Sequence, residues 1–166
     1  MAWTTPRTWT TGELVTAAFM NTHVRDNLLA LTAWQAWTPT LTNLNIGSTG
    51  TQTARYVHAA GWVHYHYTAT LAGSGISVGA VNITLPVEPA SHYVESVAIM
   101  GNASYLEGGV ANYVGNARLD SDGDAVDLKA LATASNHLSS APLSSTVPFT
   151  WGATDVIAVS GTYEAA

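Results

Sequence analysis

The segment that decides the fold runs Trp62-Val63-His64-Tyr65-His66-Tyr67-Thr68-Ala69-Thr70-Leu71. Successive side chains of a β-strand point to opposite faces. One face of this segment therefore carries the tryptophan, both histidines and Thr68, and the opposite face carries the apolar and aromatic residues between them. We predict a strand whose Val63–Ala69 face lies in the core. The histidine face is expected at solvent or at a subunit interface.

The same two-residue period extends outward over most of the chain. Further candidate strands are Thr40–Ile46, Thr53–His58, Val78–Leu85, His92–Met100, Tyr113–Leu119, Ala125–Thr133 and Asp155–Tyr163. About eight short strands separated by Gly- and Pro-containing turns are typical of an antiparallel sandwich or jelly roll. The strands do not alternate with helices, so a parallel-sheet enzyme scaffold is not expected. We therefore predict a mainly β protein whose residues 38–166 form an antiparallel, jelly-roll-like β-sandwich.

Residues 1–37 have a different character, with four of the six tryptophans and two of the five cationic side chains. Residues 1–9 show no helical period and are expected to form an extended arm. A helical pattern follows over Ala17–Leu31. Thr10 and Glu13 have the spacing of a capping box, and Thr16 is a second N-cap candidate. The helix is thus predicted to begin after one of these two threonines.

A stripe of residues at alternating three- and four-residue steps runs along the predicted helix. It consists of Ala17, Met20, Val24, Asn27, Leu31 and Trp34. This a/d-type spacing fits an amphipathic helix packed on its own domain. It equally fits a short three-helix seam of a homotrimer, in which the last five residues of the stripe meet and Asn27 fixes the register. A seam this short needs the β domain beside it, because isolated short helices are only marginally stable.

The composition narrows the possible partners. Charged residues make up only 10% of the chain, against roughly 25% in ordinary soluble domains, which favours burial of surface against copies of the chain or a larger assembly. With a net charge of −6 and Lys129 as its only lysine, the chain cannot form the cationic patch that nucleic acid requires. An anionic membrane is disfavoured for the same reason. The sequence has no apolar run of the signal-peptide or membrane-span type. We expect a protein made in a cytoplasm that stays soluble until it assembles.

The motifs that might carry chemistry are weak. His64 and His66 can ligate a metal only with a further ligand, from His58 or from another subunit. The acidic run Asp120–Asp127 has its glycine at the wrong position for a calcium loop, and Asp122-Gly123 suits a hairpin turn instead. The loop Gly73-Ser74-Gly75 has the wrong form for a nucleophile elbow, and the glutamates are scattered along the sequence. We expect neither enzymatic activity nor a cofactor.

The tyrosines offer an alternative function. They are Tyr56, Tyr65, Tyr67, Tyr93, Tyr105, Tyr113 and Tyr163. Flat aromatic faces on a β-sandwich can stack on sugars, so one interpretation is a carbohydrate-binding module that recognises a host surface glycan. Tyrosine is equally a common residue of β-cores and interfaces, so this interpretation depends on which tyrosines face outward.

A resemblance to a known group of proteins rests mainly on residues 8–31. The motif is Thr8-Trp9-x-x-Gly12-Glu13-x-Val15-Thr16-Ala17-x-x-x-Asn21-x-His23-Val24-Arg25-Asp26-Asn27-x-x-x-Leu31. It resembles the start of many structural proteins of tailed bacteriophages, which include small minor tail, tail-fibre, head-fibre and capsid-decoration proteins. Later segments agree in style, including Gly61-Trp62-Val63, Leu85-Pro86 and the terminal stretch from Pro148 to Glu164.

The resemblance implies a non-enzymatic virion surface component, commonly trimeric, that is assembled in the host cytoplasm. Its N-terminal part would dock onto phage capsid or tail proteins, with the β domain facing outward. Aromatic and arginine side chains are the usual anchors of interfaces, so we expect Trp3, Arg7 and Trp9 to hold the protein on the particle. Capsid decoration, head-fibre and minor-tail locations stay open, and the number of copies per particle separates them.

Overall fold

The computed structural model describes residues 4–5, 7–30, 33–134 and 137–166. Its helical part consists of α1 (Ala17–Met20), a π-helical turn (Asn21–Arg25) and α2 (Asp26–Ala30), which follow one another without a break. Thr16 is the N-cap, since its Oγ1 accepts a hydrogen bond from the backbone N–H of Phe19 at 3.3 Å. Thr10 and Glu13 instead close a turn before the helix, where the Glu13 N–H donates to the Thr10 carbonyl at 3.1 Å. The helix thus begins at the second of the two predicted positions.

The rest of the described chain contains ten strands, which are joined by turns and loops. They are β1 (Gln35–Ala36), β2 (Leu41–Asn45), β3 (Thr51–Ala59), β4 (Trp62–Thr70), β5 (Ser77–Thr84), β6 (Ile99–Glu107), β7 (Ala111–Leu119), β8 (Ala125–Ala134), β9 (His137–Pro142) and β10 (Val156–Glu164). Hydrogen bonds join them in one antiparallel sheet in the order β1-β3-β4-β10-β6-β7-β8-β5-β2. The strand β9 pairs with residues 129–134 of β8. The sheet curls like half a barrel around the core. A mainly β, antiparallel fold is therefore confirmed.

One predicted strand, His92–Met100, is wrong. Residues 91–97 form turns, and the strand β6 begins only at Ile99. Local turns explain the error, since the N–H groups of Val97 and Ala98 both donate to the Val94 carbonyl and Ser96 has a positive φ of 59°. The strand β6 that follows has a β-bulge between Ile99 and Gly101, so that Met100 and Ala103 both point into the core although they are three residues apart.

The strand β4 confirms the predicted alternation. Val63, Tyr65, Tyr67 and Ala69 are fully buried, whereas Trp62 is 53% exposed and both histidines of the strand lie on the exposed side. The strand pairs with β3 on one side and with β10 on the other. β4 is therefore a central strand whose aromatic face forms the floor of the core.

Four tyrosines, Tyr65, Tyr67, Tyr105 and Tyr163, are buried in this core. Their hydroxyl groups donate to the carbonyl oxygens of Met100, Lys129 and Val87 and to Gln52 Oε1, at distances between 2.7 and 3.4 Å. Buried hydroxyl groups need such partners, because an unpaired one costs about 1–3 kcal/mol. The core is thus held by ring packing and by these hydrogen bonds at its walls.

The buried tyrosines predict a loss of stability at alkaline pH. Burial raises the pKa of Tyr67 to about 12 and also raises the pKa of Tyr65, Tyr105 and Tyr163 above their unfolded value of about 10. This stabilisation is fully present below pH ~10 and is lost as the pH rises through the folded-state pKa values. We expect the thermal midpoint to fall between pH 10 and pH 12, and to fall less steeply for Tyr67→Phe. A constant midpoint over this range would contradict the prediction.

Candidate attachment surface

The arm folds back onto the helix through Asn27. The Thr4 N–H donates to Asn27 Oδ1 at 2.9 Å, and Asn27 Nδ2 donates to the Thr4 carbonyl at 2.8 Å. The same amide nitrogen lies 3.2 Å from the His23 carbonyl oxygen. Asn27 is only 4% exposed, and both ends of its amide bond to the backbone of Thr4, so it holds the arm on the helix. Its role in fixing the register of a trimer stays a prediction.

An aromatic cluster links the rest of the arm to the helix. The Trp9 ring packs edge-on against Phe19 and His23, with ring centroids 6.2 and 6.4 Å apart. The Arg7 guanidinium lies 5.0 Å from the Trp9 ring centre and 4.4 Å from that of Phe19, and it also pairs with Glu13. Two of the three predicted anchors therefore meet in one cluster. The third, Trp3, lies outside the described residues.

The helical unit exposes most of its apolar residues. Leu14 is 79% exposed, Leu28 61%, Met20 45% and Val24 39%. Within residues 17–29 the only buried side chain is that of Asn27. Packing on its own β domain, one of the two interpretations of the stripe, does not bury these side chains in the described chain. Contiguous exposed apolar residues mark interaction surfaces, and we call the exposed apolar residues of 14–28, together with the Arg7–Trp9 cluster, the attachment surface.

Of the predicted seam residues, Met20 and Val24 lie on this attachment surface, Asn27 is buried by the arm, and Leu31 lies outside the described residues. Trp34 packs instead on the sheet, where its ring lies edge-on against that of His64 in β4, with ring centroids 5.3 Å apart. It remains 40% exposed. The π-helical turn adds one residue between Met20 and Asp26, which shifts the faces of the following residues relative to a regular α-helix. That shift is not visible in the sequence spacing.

Trp37 joins the arm and helix to the sheet. Its Nε1 donates to the Thr84 carbonyl at 3.3 Å, and its ring packs edge-on against Tyr56 and Tyr65 at 6.3 Å each. The preceding residues form β1, which pairs with β3. The chain is therefore fixed to the sheet at residues 35–37, directly after the helix.

The candidate metal ligands are used in other ways. His64 Nδ1 lies 2.8 Å from Thr162 Oγ1, and His66 Nε2 lies 3.4 Å from Thr68 Oγ1. Nowhere in the described residues do three or more His, Asp or Glu side chains gather in a way that could hold a metal ion. The two histidines share a strand face as predicted, but no third ligand joins them there.

Residues 120–124 of the acidic run form the loop between β7 and β8, as the hairpin interpretation predicts, and Asp127 lies in β8. Asp120 Oδ1 accepts hydrogen bonds from the N–H groups of Gly123 and Ala125, at 2.9 and 3.3 Å. Asp120 Oδ2 accepts from Asn82 Nδ2 at 3.0 Å. The first carboxylate of the run is thus occupied in closing the loop.

The curled sheet gathers carboxylates that are distant in the sequence. Glu88, Glu95, Asp122 and Glu164 line an open cavity of about 570 Å³ beside the C-terminus. Glu107 lies elsewhere and accepts a hydrogen bond from the Tyr113 hydroxyl at 3.0 Å. Their meeting depends on the sheet order, in which β10, the strand that carries Glu164, lies between β4 and β6. The spacing of these residues along the sequence does not indicate it.

The tyrosine interpretation is corrected by burial. Four of the seven tyrosines lie in the core, and only Tyr56, Tyr93 and Tyr113 are partly accessible. The exposed aromatic surface of the β domain is instead formed by Trp34 and Trp62.

Seven of the sixteen exposed large apolar side chains of the described residues lie between Trp9 and Leu29, on the arm and helix, and the other nine are spread over the rest of the described chain. No helix among the described residues has both the length and the apolar character that crossing a membrane requires. Comparison with protein-family models, with curated proteins and with solved structures finds no match for this chain.

Proposed function

We propose that this chain is a non-enzymatic structural protein of a tailed-bacteriophage virion, attached to the particle through its N-terminal arm and helix and displaying its β domain outward. The observation that carries the proposal is the attachment surface: a helical unit whose apolar side chains stay exposed, with the arm held on it by Asn27 and by the Arg7–Trp9 cluster. The resemblance of residues 8–31 to phage structural proteins supports the same role.

The chemistry of this surface suits docking onto another protein. Interfaces are enriched in aromatic residues, methionine and arginine and depleted in lysine and glutamate. Arg7 and Trp9 stack together at one end of the surface, and Met20, Val24 and Leu28 extend it along the helix. Burying a large apolar side chain stabilises an assembly by about 1.5–3 kcal/mol, so a few such residues suffice for a stable attachment.

We further propose that three chains assemble into a homotrimer with the helices side by side, and that the curled sheet serves as the two layers of a jelly-roll-like sandwich. The low charge density supports this arrangement, because an obligate oligomer can bury weakly charged surface that a monomer leaves in water. Capsid decoration, head-fibre and minor-tail locations use the same surface chemistry. Hundreds of copies per particle favour the capsid, and a handful favour the tail.

Deletion of residues 1–12 tests the attachment. The deletion keeps the Thr16 cap and all ten strands, so the protein is expected to fold and to keep its solution mass. We expect the truncated protein to lose binding to particles that lack the native copy, and Trp9→Ala to bind about tenfold more weakly. Measurement of co-sedimentation with such particles gives the result.

Trp62→Ala is the matched control, since Trp62 is an exposed tryptophan of the β domain. This variant should bind particles like the unmodified protein. Full binding by the truncated chain would rule out the N-terminal attachment.

A further inference from the structure

A polar trough crosses the face of the sheet that is opposite the core, over the strands β4, β10 and β6. It has a volume of about 360 Å³. Its lining includes His64, Gly101, Asn102, Ser160, Gly161 and Thr162. A second depression of about 130 Å³ shares Asn102 and Ser160 with it and continues toward His66.

Two glycines let β6 and β10 approach each other closely beneath the trough. A Cβ atom at Gly161 would lie 1.9 Å from the Met100 carbonyl oxygen, and one at Gly101 would lie 2.4 Å from the Ser160 carbonyl oxygen. The bulge in β6 lies at the same place. A Cβ atom at either glycine would also lie 2.8 Å from the buried Tyr65 side chain, so both positions face the core. Their backbone lines the floor of the trough, and the outward-facing side chains of their neighbours form its walls.

Two of the hydrogen-bonding side chains in the walls, those of Asn102 and Ser160, are not used within the described part of the chain. They are cross-strand neighbours, and both are exposed. On the other wall, Thr162 Oγ1 lies 2.8 Å from His64 Nδ1. A row of amide and hydroxyl groups therefore faces outward.

Exposed indole rings lie at the β4 side of the trough. The Trp34 ring packs against His64, which is part of the wall, and is 40% exposed. Trp62 lies two residues before His64 on the same face and is 53% exposed. Indole rings have a flat apolar face and a polar N–H, a combination that matches the C–H faces and hydroxyl groups of a sugar ring.

The charges of the residues at the trough indicate whether it suits a neutral or an anionic ligand. None of the described residues that line the trough is an acid, a lysine or an arginine. The charged cross-strand neighbours of this region are Arg118, opposite the lining residue Ile99, Arg55, opposite His66, and Glu164, opposite Trp62. The side chains that line the trough therefore offer an anionic chain no matching charge.

From these features we propose that the trough binds a neutral oligosaccharide, with Asn102, Ser160 and Thr162 hydrogen-bonding its hydroxyl groups and Trp34 or Trp62 stacking on a ring. The site lies on the β domain and does not depend on the attachment surface. It replaces the tyrosines, four of which are buried, as the sugar-binding surface of this chain.

The test uses the full chain on an array of neutral and anionic glycans, followed by calorimetry with the neutral glycan that gives the strongest signal. We expect binding to neutral glycans, weakened about tenfold in Asn102→Ala and in Thr162→Val, because each substitution removes one hydrogen-bonding group. Thr53→Val is the matched control, since Thr53 faces outward on β3 away from the trough, and it should bind like the unmodified protein.

Three outcomes would overturn the proposal: binding to no glycan, binding to anionic glycans only, or equal binding by the trough variants and the control. If Asn102→Ala and Thr162→Val instead lower the solution mass, the trough is an interface between copies of the chain. None of these results alters particle binding through residues 1–12, so failure of this proposal is distinct from failure of the attachment proposal.

Discussion

Replacing Gly161 with alanine is expected to lower the free energy of unfolding by about 4 kcal/mol, beyond the usual range of about 1–3 kcal/mol for overpacking. The new Cβ atom would lie 1.9 Å from the Met100 carbonyl oxygen and 2.8 Å from both Gly101 Cα and Tyr65 Cε1. Two of these three atoms belong to the backbone of β6, which cannot move aside without breaking its pairing with β10. The substitution therefore separates two central strands.

Chemical denaturation monitored by tryptophan fluorescence measures this loss. Gly152→Ala is the matched control, because a Cβ there meets nothing closer than Asp155 Oδ2 at 4.0 Å. We expect that control to change stability by less than ~0.5 kcal/mol. A Gly161→Ala protein as stable as the control would mean that β6 and β10 are not packed as closely as described.

Replacing Asp155 with alanine is expected to cost about 3 kcal/mol. Asp155 is 4% exposed. Its Oδ1 accepts from the Gly108 N–H at 2.9 Å, and its Oδ2 accepts from the Gly152 N–H at 2.6 Å. The carboxylate thus joins the β6–β7 turn to the segment that leads into β10. Without it, two partly buried N–H groups lose a charged acceptor.

Asp155→Asn separates the hydrogen bonds from packing. An amide has one oxygen in place of two, so only one of the two N–H groups keeps an acceptor, and we expect a loss between that of alanine and none. Asp124→Ala, at an exposed aspartate, is the control and should be nearly neutral. Equal stability of the Asp155→Ala and Asp124→Ala proteins would show that this carboxylate does not hold the two segments together.

Strands with a regular two-residue period could be predicted from the sequence, and strands without one could not. β4 was predictable because every second residue from Val63 to Ala69 is apolar or aromatic, and a central strand with one buried face requires that pattern. β6 was not, because its bulge interrupts the period at Gly101. β9 lacks a clear period and exists as a strand only because β8 offers it an edge.

The candidate sites also combine features that the sequence predicts with features that it does not. The N-terminal unit was recognisable from its tryptophans, its arginines and its helical spacing, and Trp9 and Arg7 do meet. The contact between Thr4 and Asn27 was not predictable, because it joins residues 23 apart through backbone groups that any residue carries. The trough was also invisible, since its walls come from three strands and its floor from two glycines.

The sequence by itself determined that the protein is mainly β and which face of β4 is buried. These features depend on residues near one another in the chain, whose spacing fixes which side chains share a face. Only the tertiary structure decided that the tyrosines are core residues, that Asp155 and Gly161 hold distant strands together, and that β4, β10 and β6 lie side by side. Those properties depend on strand order, and strand order follows from how the whole core packs rather than from any local pattern.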